Sequence, residues 1–258
     1  MSLQRNSINL DISGKEPYRK GGSRFGGRPD IPEGFEWPRF CPGEGRSAVP
    51  LSFIAQFDCS ALRQYDDDNM LPDYGVLSFF YETDSMRWGY SPSDAGCAKV
   101  FWFEDVSALS EASFPDDLPS ERRYPMLHIG MQGLPSFPDP EDCYEFGLAQ
   151  EGDPYSEQNT GSKLLGWPDI IQGSMALECE LIARGFFLGH GWDDITEEEI
   201  AEARDHAGRW RLLFQLDMVE TEDFSLMFGD CGRIYFFLPA EDLLARRFEN
   251  TWLMLQCY

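Results

Sequence analysis

The chain has 258 residues, with 21 Lys plus Arg against 45 Asp plus Glu and a formal net charge of −24. That charge repels phosphate backbones and anionic membranes, so neither nucleic acid nor a membrane surface is an expected partner. Hydrophobic residues at 42% supply a core, aromatics at 14% favour strands, and no apolar run reaches the roughly 18 residues of a membrane-spanning helix.

In chain order, Met1–Asn6 lacks the apolar stretch of a signal peptide. The densest basic stretch is Tyr18-Arg19-Lys20-Gly21-Gly22-Ser23-Arg24. The segment Gly27-Arg28-Pro29-Asp30-Ile31 predicts a turn, because Gly permits positive φ and Pro fixes its own. Phe53–Phe57 has strand length, and Asp58 stands where it can cap a short helix through Cys59–Leu62. Asp73-Tyr74-Gly75 is turn chemistry before a buried strand, Val76–Phe80. Ala98–Phe103 and Pro125–Ile129 predict strands, and residues 132–160, rich in Pro, Gly and acids, a long connection. Met175–Phe187 predicts a helix. A second helix starts at the capping box Thr196/Glu199 and stops at Gly208. Leu212–Leu216 and Ile234–Phe237 predict strands, the latter after the turn Asp230-Cys231-Gly232.

Three blocks recur in the same order. Ser23–Gly34 matches Ser162–Gly173 with six of twelve positions identical. Phe53–Asp58 matches Leu212–Asp217, sharing Gln-x-Asp, and Asp73–Phe80 matches Asp230–Phe237. Asp58 to Gly75 spans 17 positions and Asp217 to Gly232 spans 15, whereas Gly34 to Gln56 spans 22 and Gly173 to Gln215 spans 42. The pattern predicts an internal duplication with one insertion in the second copy. The expected fold is α+β: mostly antiparallel β-sheet with a few helices and pseudo-two-fold symmetry. One domain, 1–258, is expected from halves at about 22–131 and 161–258, since neither half buries its sheet alone.

These blocks, with Pro50–Asp58, Gly75–Phe80, Leu213–Asp217, Gly229–Gly232 and the final Gln256-Cys257-Tyr258, resemble the YwqG-like family of bacterial proteins of unknown function. The resemblance runs from about Gly22 to the end. It implies an α+β fold with an internal duplication and a cytoplasmic protein with no known cofactor, and it brings no agreed catalytic residues. Some members lie near toxin and immunity genes, which implies a protein-binding role. The chain departs from the family in its short N-terminal segment, and in carrying Ser162 where many relatives carry His before the Lys of the second turn.

The duplication makes Arg24 and Lys163, Gln56 and Gln215, and Asp58 and Asp217 equivalent pairs. Converging at an axis, with Asp230 in the second turn, they form a candidate cleft. Two close carboxylates suit acid–base chemistry, and the cations suit an anionic group. Equally, each Asp caps a helical turn, each Gln satisfies backbone groups, and Arg24 and Lys163 pair with Asp58 and Asp217. His128, His190 and His206 lack metal-ligand spacing, and no metal or other cofactor is expected. Asp66-Asp67-Asp68 lacks the spaced ligands of a calcium loop. Seven cysteines, odd in number and without a C-x-x-C pair, read as free thiols in a reducing compartment. Cys231 beside Asp230 is disfavoured as a nucleophile, because the neighbouring charge raises the thiol.

The sequence therefore points to a cytoplasmic, non-enzymatic module that binds a protein or a small anionic ligand, with Trp37, Trp192 or Trp252 as contact anchors. The alternative is a hydrolase or transferase using Asp58 and Asp217 between the halves.

Overall fold

A computed structural model describes residues 3–15, 17–43, 45–148 and 161–258. Ten strands carry its two main sheets: β1 (Arg5–Ser13), β2 (Arg24–Phe25), β3 (Ser52–Asp58), β4 (Val76–Tyr81), β5 (Ala98–Phe103), β6 (His128–Ser136), β7 (Lys163–Leu165), β8 (Trp210–Leu216), β9 (Arg233–Pro239) and β10 (Trp252–Gln256). The helices are short: α1 (Cys59–Leu62), α2 (Pro140–Glu145), α3 (Ala176–Ala183), α4 (Glu197–Ala207) and α5 (Ala240–Leu244). This is an α+β fold whose sheet pairings are antiparallel.

The four-stranded sheet runs β2-β3-β4-β5 and the six-stranded sheet runs β6-β1-β7-β8-β9-β10. The order β2-β3-β4-β5 therefore has a counterpart in β7-β8-β9-β10. Register agrees as well, with Arg24 opposite Gln56 and Lys163 opposite Gln215. The ladder is interrupted between Phe53 and Ala55 in one run and between Leu212 and Phe214 in the other. Gly26 and Gly27 have φ of 57° and 70°, and Leu165 and Gly166 have 59° and 81°. The same left-handed pair thus turns the chain back in both places, although one of the four positions carries leucine.

β1 was not anticipated. Its alternation, Ile8-Asn9-Leu10-Asp11-Ile12, is a period-two signal at the N-terminus. It pairs with β6 on one side and β7 on the other, joining strands from both sequence halves into one sheet. β6 extends to Ser136, into the stretch expected to be connection, because residues 132–136 find partners on β1. α2 also lies in that stretch, while its residues 149–160 lie outside the described residues. The helix expected over Met175–Phe187 spans Ala176–Ala183. α4 has the expected capping box at Thr196/Glu199 and Gly208 at its C-cap.

The sheets pack through aromatic side chains. Phe57 and Phe79 from the four-stranded sheet meet Phe214 and Phe236 from the six-stranded one, with ring centroids 4.8–5.4 Å apart. On β9 the alternate residues Tyr235 and Phe237 point to a second core, built with α3, α4 and Met254 of β10. Burial on both faces explains why β9 reads as a continuous apolar run rather than an alternation. Among the described residues no helix is long and apolar enough to cross a membrane.

Candidate ligand pocket

Two polar clusters lie inside the fold at matched positions. In the first, the Asp30 amide donates to Gln56 Oε1 (2.9 Å), while Gln56 Nε2 donates to the Gly22 carbonyl (3.0 Å) and to Asp30 Oδ2 (2.9 Å). Arg24 closes it through Nη1 to Asp30 Oδ2 at 3.0 Å. In the second, the Asp169 amide donates to Gln215 Oε1 (2.8 Å), and Gln215 Nε2 donates to the Gly161 carbonyl (2.6 Å) and Asp169 Oδ2 (2.7 Å). Lys163 Nζ lies 2.5 Å from Asp169 Oδ1. Burial pushes the Asp30 carboxyl up, but Arg24, Gln56 and the Gly21 amide outweigh it and hold the group below its ordinary value. Burial lowers the Lys163 ammonium, opposed by Asp169.

These contacts correct the expected pairing. Arg24 and Lys163 bind Asp30 and Asp169, each six residues on, and not Asp58 and Asp217. The physical reason is burial: Asp30 is 0% exposed and Asp169 6%, so each carboxylate needs a cation inside the fold. Asp58 caps α1 through Ser60 N and pairs with Arg19 at 3.3 Å. Asp217 holds the Met218 amide and pairs with Arg233 at 2.7 Å. Among the described residues no hydrogen bond or ion pair joins Asp58 to Asp217. Asp230 is exposed in the turn before β9, where its carbonyl accepts the Tyr258 amide. Trp37, Trp192 and Trp252 are all partly buried, and two of them spend their indole N–H on the carbonyls of Leu51 and Gly89.

Elsewhere, β1, the turn after β7, α2 and the start of β8 enclose a pocket of about 370 Å³. Arg5, Asp142, Phe146, Trp167, Trp210 and Arg211 are among its walls. Arg5 stacks over the Trp167 ring with its guanidinium carbon 3.4 Å from the centroid. Trp167 is anchored in turn through its backbone amide to Ser136 Oγ and its indole N–H to the Leu3 carbonyl. Trp210 is fixed by its indole N–H on the buried Glu180 carboxylate at 2.9 Å. Arg211 donates to the carbonyls of Gly208 and Trp210.

Neither arginine has a carboxylate within ion-pair distance among the described residues. Burial, followed by the charge of Arg211, holds the Arg5 guanidinium below the ordinary arginine value, with Asp142 opposing. Burial also lowers Arg211. Asp142 Oδ1 accepts the Ser174 hydroxyl at 2.6 Å, whereas buried Oδ2 has no partner. Burial raises the Asp142 carboxyl to about 6. The pocket thus offers two cations, aromatic walls and one unfilled acceptor, a set suited to holding an organic anion.

The pocket residues are not legible in the sequence because they come from four separate elements, and all but Trp167 of the six named stand outside the repeated blocks. Trp167 lies inside a block, at the position matching Arg28, where the unmatched aromatic was the only signal. Among the described residues, no group of three His, Cys, Asp or Glu is placed to hold a metal ion. All seven cysteines are free thiols.

A family model described as "Domain of unknown function (DUF1963)" matches residues 23–257. The chain belongs to that family. No curated protein matches it. Leu3 and Arg5 precede the matched residues, while Asp142, Trp167, Trp210 and Arg211 fall within them.

Proposed function

We propose that this member of the DUF1963 family is a non-enzymatic binding module, and that its ligand is a small organic anion held between Arg5 and Arg211 against Trp167 and Trp210. One observation carries the reading. In a chain of net charge −24, two guanidiniums line one aromatic pocket, and among the described residues neither is in an ion pair, Asp142 and Glu241 acting on them only through longer-range charge. Placing two like charges together in a partly desolvated site is unfavourable unless an anion completes it.

The alternative, acid–base catalysis by Asp58 and Asp217, has less support, because each carboxylate is engaged by its own cation and backbone amides. A ligand role for Arg24, Gln56, Lys163 and Gln215 has less support for the same reason. The matched strand orders, registers and polar clusters support descent by head-to-tail duplication into a single domain. The resemblance to YwqG-like proteins supports a bacterial, cytoplasmic setting. A protein partner is supported more weakly, by Trp88 and Phe187 exposed together on one groove.

The test is titration with 3-phenylpropionate and phenyl phosphate, followed by tryptophan fluorescence, since Trp167 and Trp210 report the pocket directly. Saturable binding is expected. It weakens about tenfold in Arg5→Gln or Arg211→Gln, the loss of one charge-assisted contact. No saturable signal from either anion, or equal binding by the variants, overturns the reading.

A further inference from the structure

Asp142 is the anomaly in the pocket. A site built to take an anion gains nothing electrostatically from a carboxyl group in its wall. Yet α2 places Asp142 there, 2% exposed, beside two cations. The helix does not need this side chain as a cap, since Asp139 already accepts the Glu141 amide. Ser174 satisfies one oxygen at 2.6 Å, and the other is buried without a partner. Nor does Arg5 close on it, because the Arg5 guanidinium is committed to the face of Trp167.

Buried acceptors in folded proteins nearly always have a donor, and one left without a partner in a pocket wall is a place where a ligand can supply it. Building on the anion-binding reading above, we infer that the ligand is an aromatic acid that also carries an N–H or O–H donor, its acid group on Arg5 and Arg211 and its donor on Asp142 Oδ2. The aromatic walls take the ring. The arginines take the acid, as planar forks suited to a carboxylate or phosphate. Asp142 then discriminates, because a ligand without the donor leaves the buried oxygen unpaired and is rejected by the cost of that unmade bond. Aromatic amino acids and hydroxylated aromatic acids share this chemistry.

The experiment compares ligands of one size on the whole chain. 3-Phenylpropionate has the ring and the acid only. L-Phenylalanine adds an ammonium, and 3-(4-hydroxyphenyl)propionate adds a phenol. At least one donor-bearing probe is expected to bind about tenfold or more tightly than 3-phenylpropionate to the unaltered protein. In Asp142→Ala, which removes the acceptor, that advantage is expected to disappear, with 3-phenylpropionate itself binding more tightly because a repelling carboxylate has left the wall. If 3-phenylpropionate binds but neither donor improves on it, the donor inference falls and the anion-binding reading stands. A donor advantage that survives in a folded Asp142 variant overturns the inference as well. If none of the three binds, the donor inference falls, and the anion-binding reading falls with it when phenyl phosphate does not bind either. The comparison on the unaltered protein needs no variant to fold.

Discussion

Phe79 and Phe236 meet edge to face across the two sheets, their ring centroids 5.2 Å apart at an interplanar angle of 83°. They occupy matching places in the repeated blocks, four residues after Gly75 and Gly232. Both are 0% exposed. Each truncation to Ala is expected to cost about 3–5 kcal/mol, through lost burial and an unfilled cavity. The double variant is expected to deviate from additivity by about 1 kcal/mol, the part belonging to the ring pair itself. Urea unfolding of the four proteins measures both quantities, and strict additivity would show that the rings contribute to their own sheets alone.

The ion pairs of Asp30 and Asp58 predict losses of very different size. Asp30→Asn leaves Arg24 charged and buried without its counter-ion, at an expected cost of about 3–5 kcal/mol. Arg19→Ala removes the partner of Asp58 at the surface, where Arg19 is 68% exposed, and is expected to cost less than about 1 kcal/mol. Because the fold holds the Asp30 carboxyl below its ordinary value, its contribution is present above the unfolded pKa and lost as pH falls through the folded one. The gap in urea midpoint between the two variants should therefore narrow in acid.

Gly26 and Gly34 separate backbone strain from collision. Both have positive φ, 57° and 78°. A Cβ on Gly34 meets nothing within 4 Å, so Ala there is expected to cost about 1–2 kcal/mol, the left-handed penalty alone. On Gly26 it would lie 2.2 Å from the Pro125 carbonyl oxygen, and backbone cannot yield as a side chain can. Gly26→Ala is expected to melt well below Gly34→Ala, and equal melting temperatures would contradict the close approach.

Glu178 on α3 has a buried oxygen without a partner, and burial raises its carboxyl to about 8. A carboxyl raised in the fold favours the native state fully below its unfolded pKa of 4.5, and loses that advantage as pH rises through the folded value. Glu178→Gln, which never ionises, should therefore match the parent near pH 4.5 and gain stability steadily toward pH 8, reaching about 4 kcal/mol above it. Melting temperatures of both proteins across that range supply the check. A constant difference would mean that Glu178 titrates normally.

Much of the fold was legible. The Gln-x-Asp and Asp-x-Gly blocks mark strand and turn because apolar run length and Gly/Pro chemistry act locally, and the capping box of α4 is a contact within four residues. The pairing of Arg24 was misread, although an identical Asp sits at positions 30 and 169 of the aligned blocks. Apolar and turn patterns say where a strand lies, but not which carboxylate returns beneath it. β1 was missed because its short alternation had no matching copy with which to be compared.

The amino-acid order alone determined the elements, the recurrence of their blocks and the acidic balance, since each depends on neighbours along the chain or on composition. Only the tertiary structure decided that Arg5, Asp142, Trp167 and Arg211, separated by up to 206 positions, line one cavity. That proximity follows from β1 inserting between β6 and β7. Hydrogen-bond pairing between strands distant in sequence leaves no periodic trace in either strand, so the pocket became visible only when the sheet was assembled.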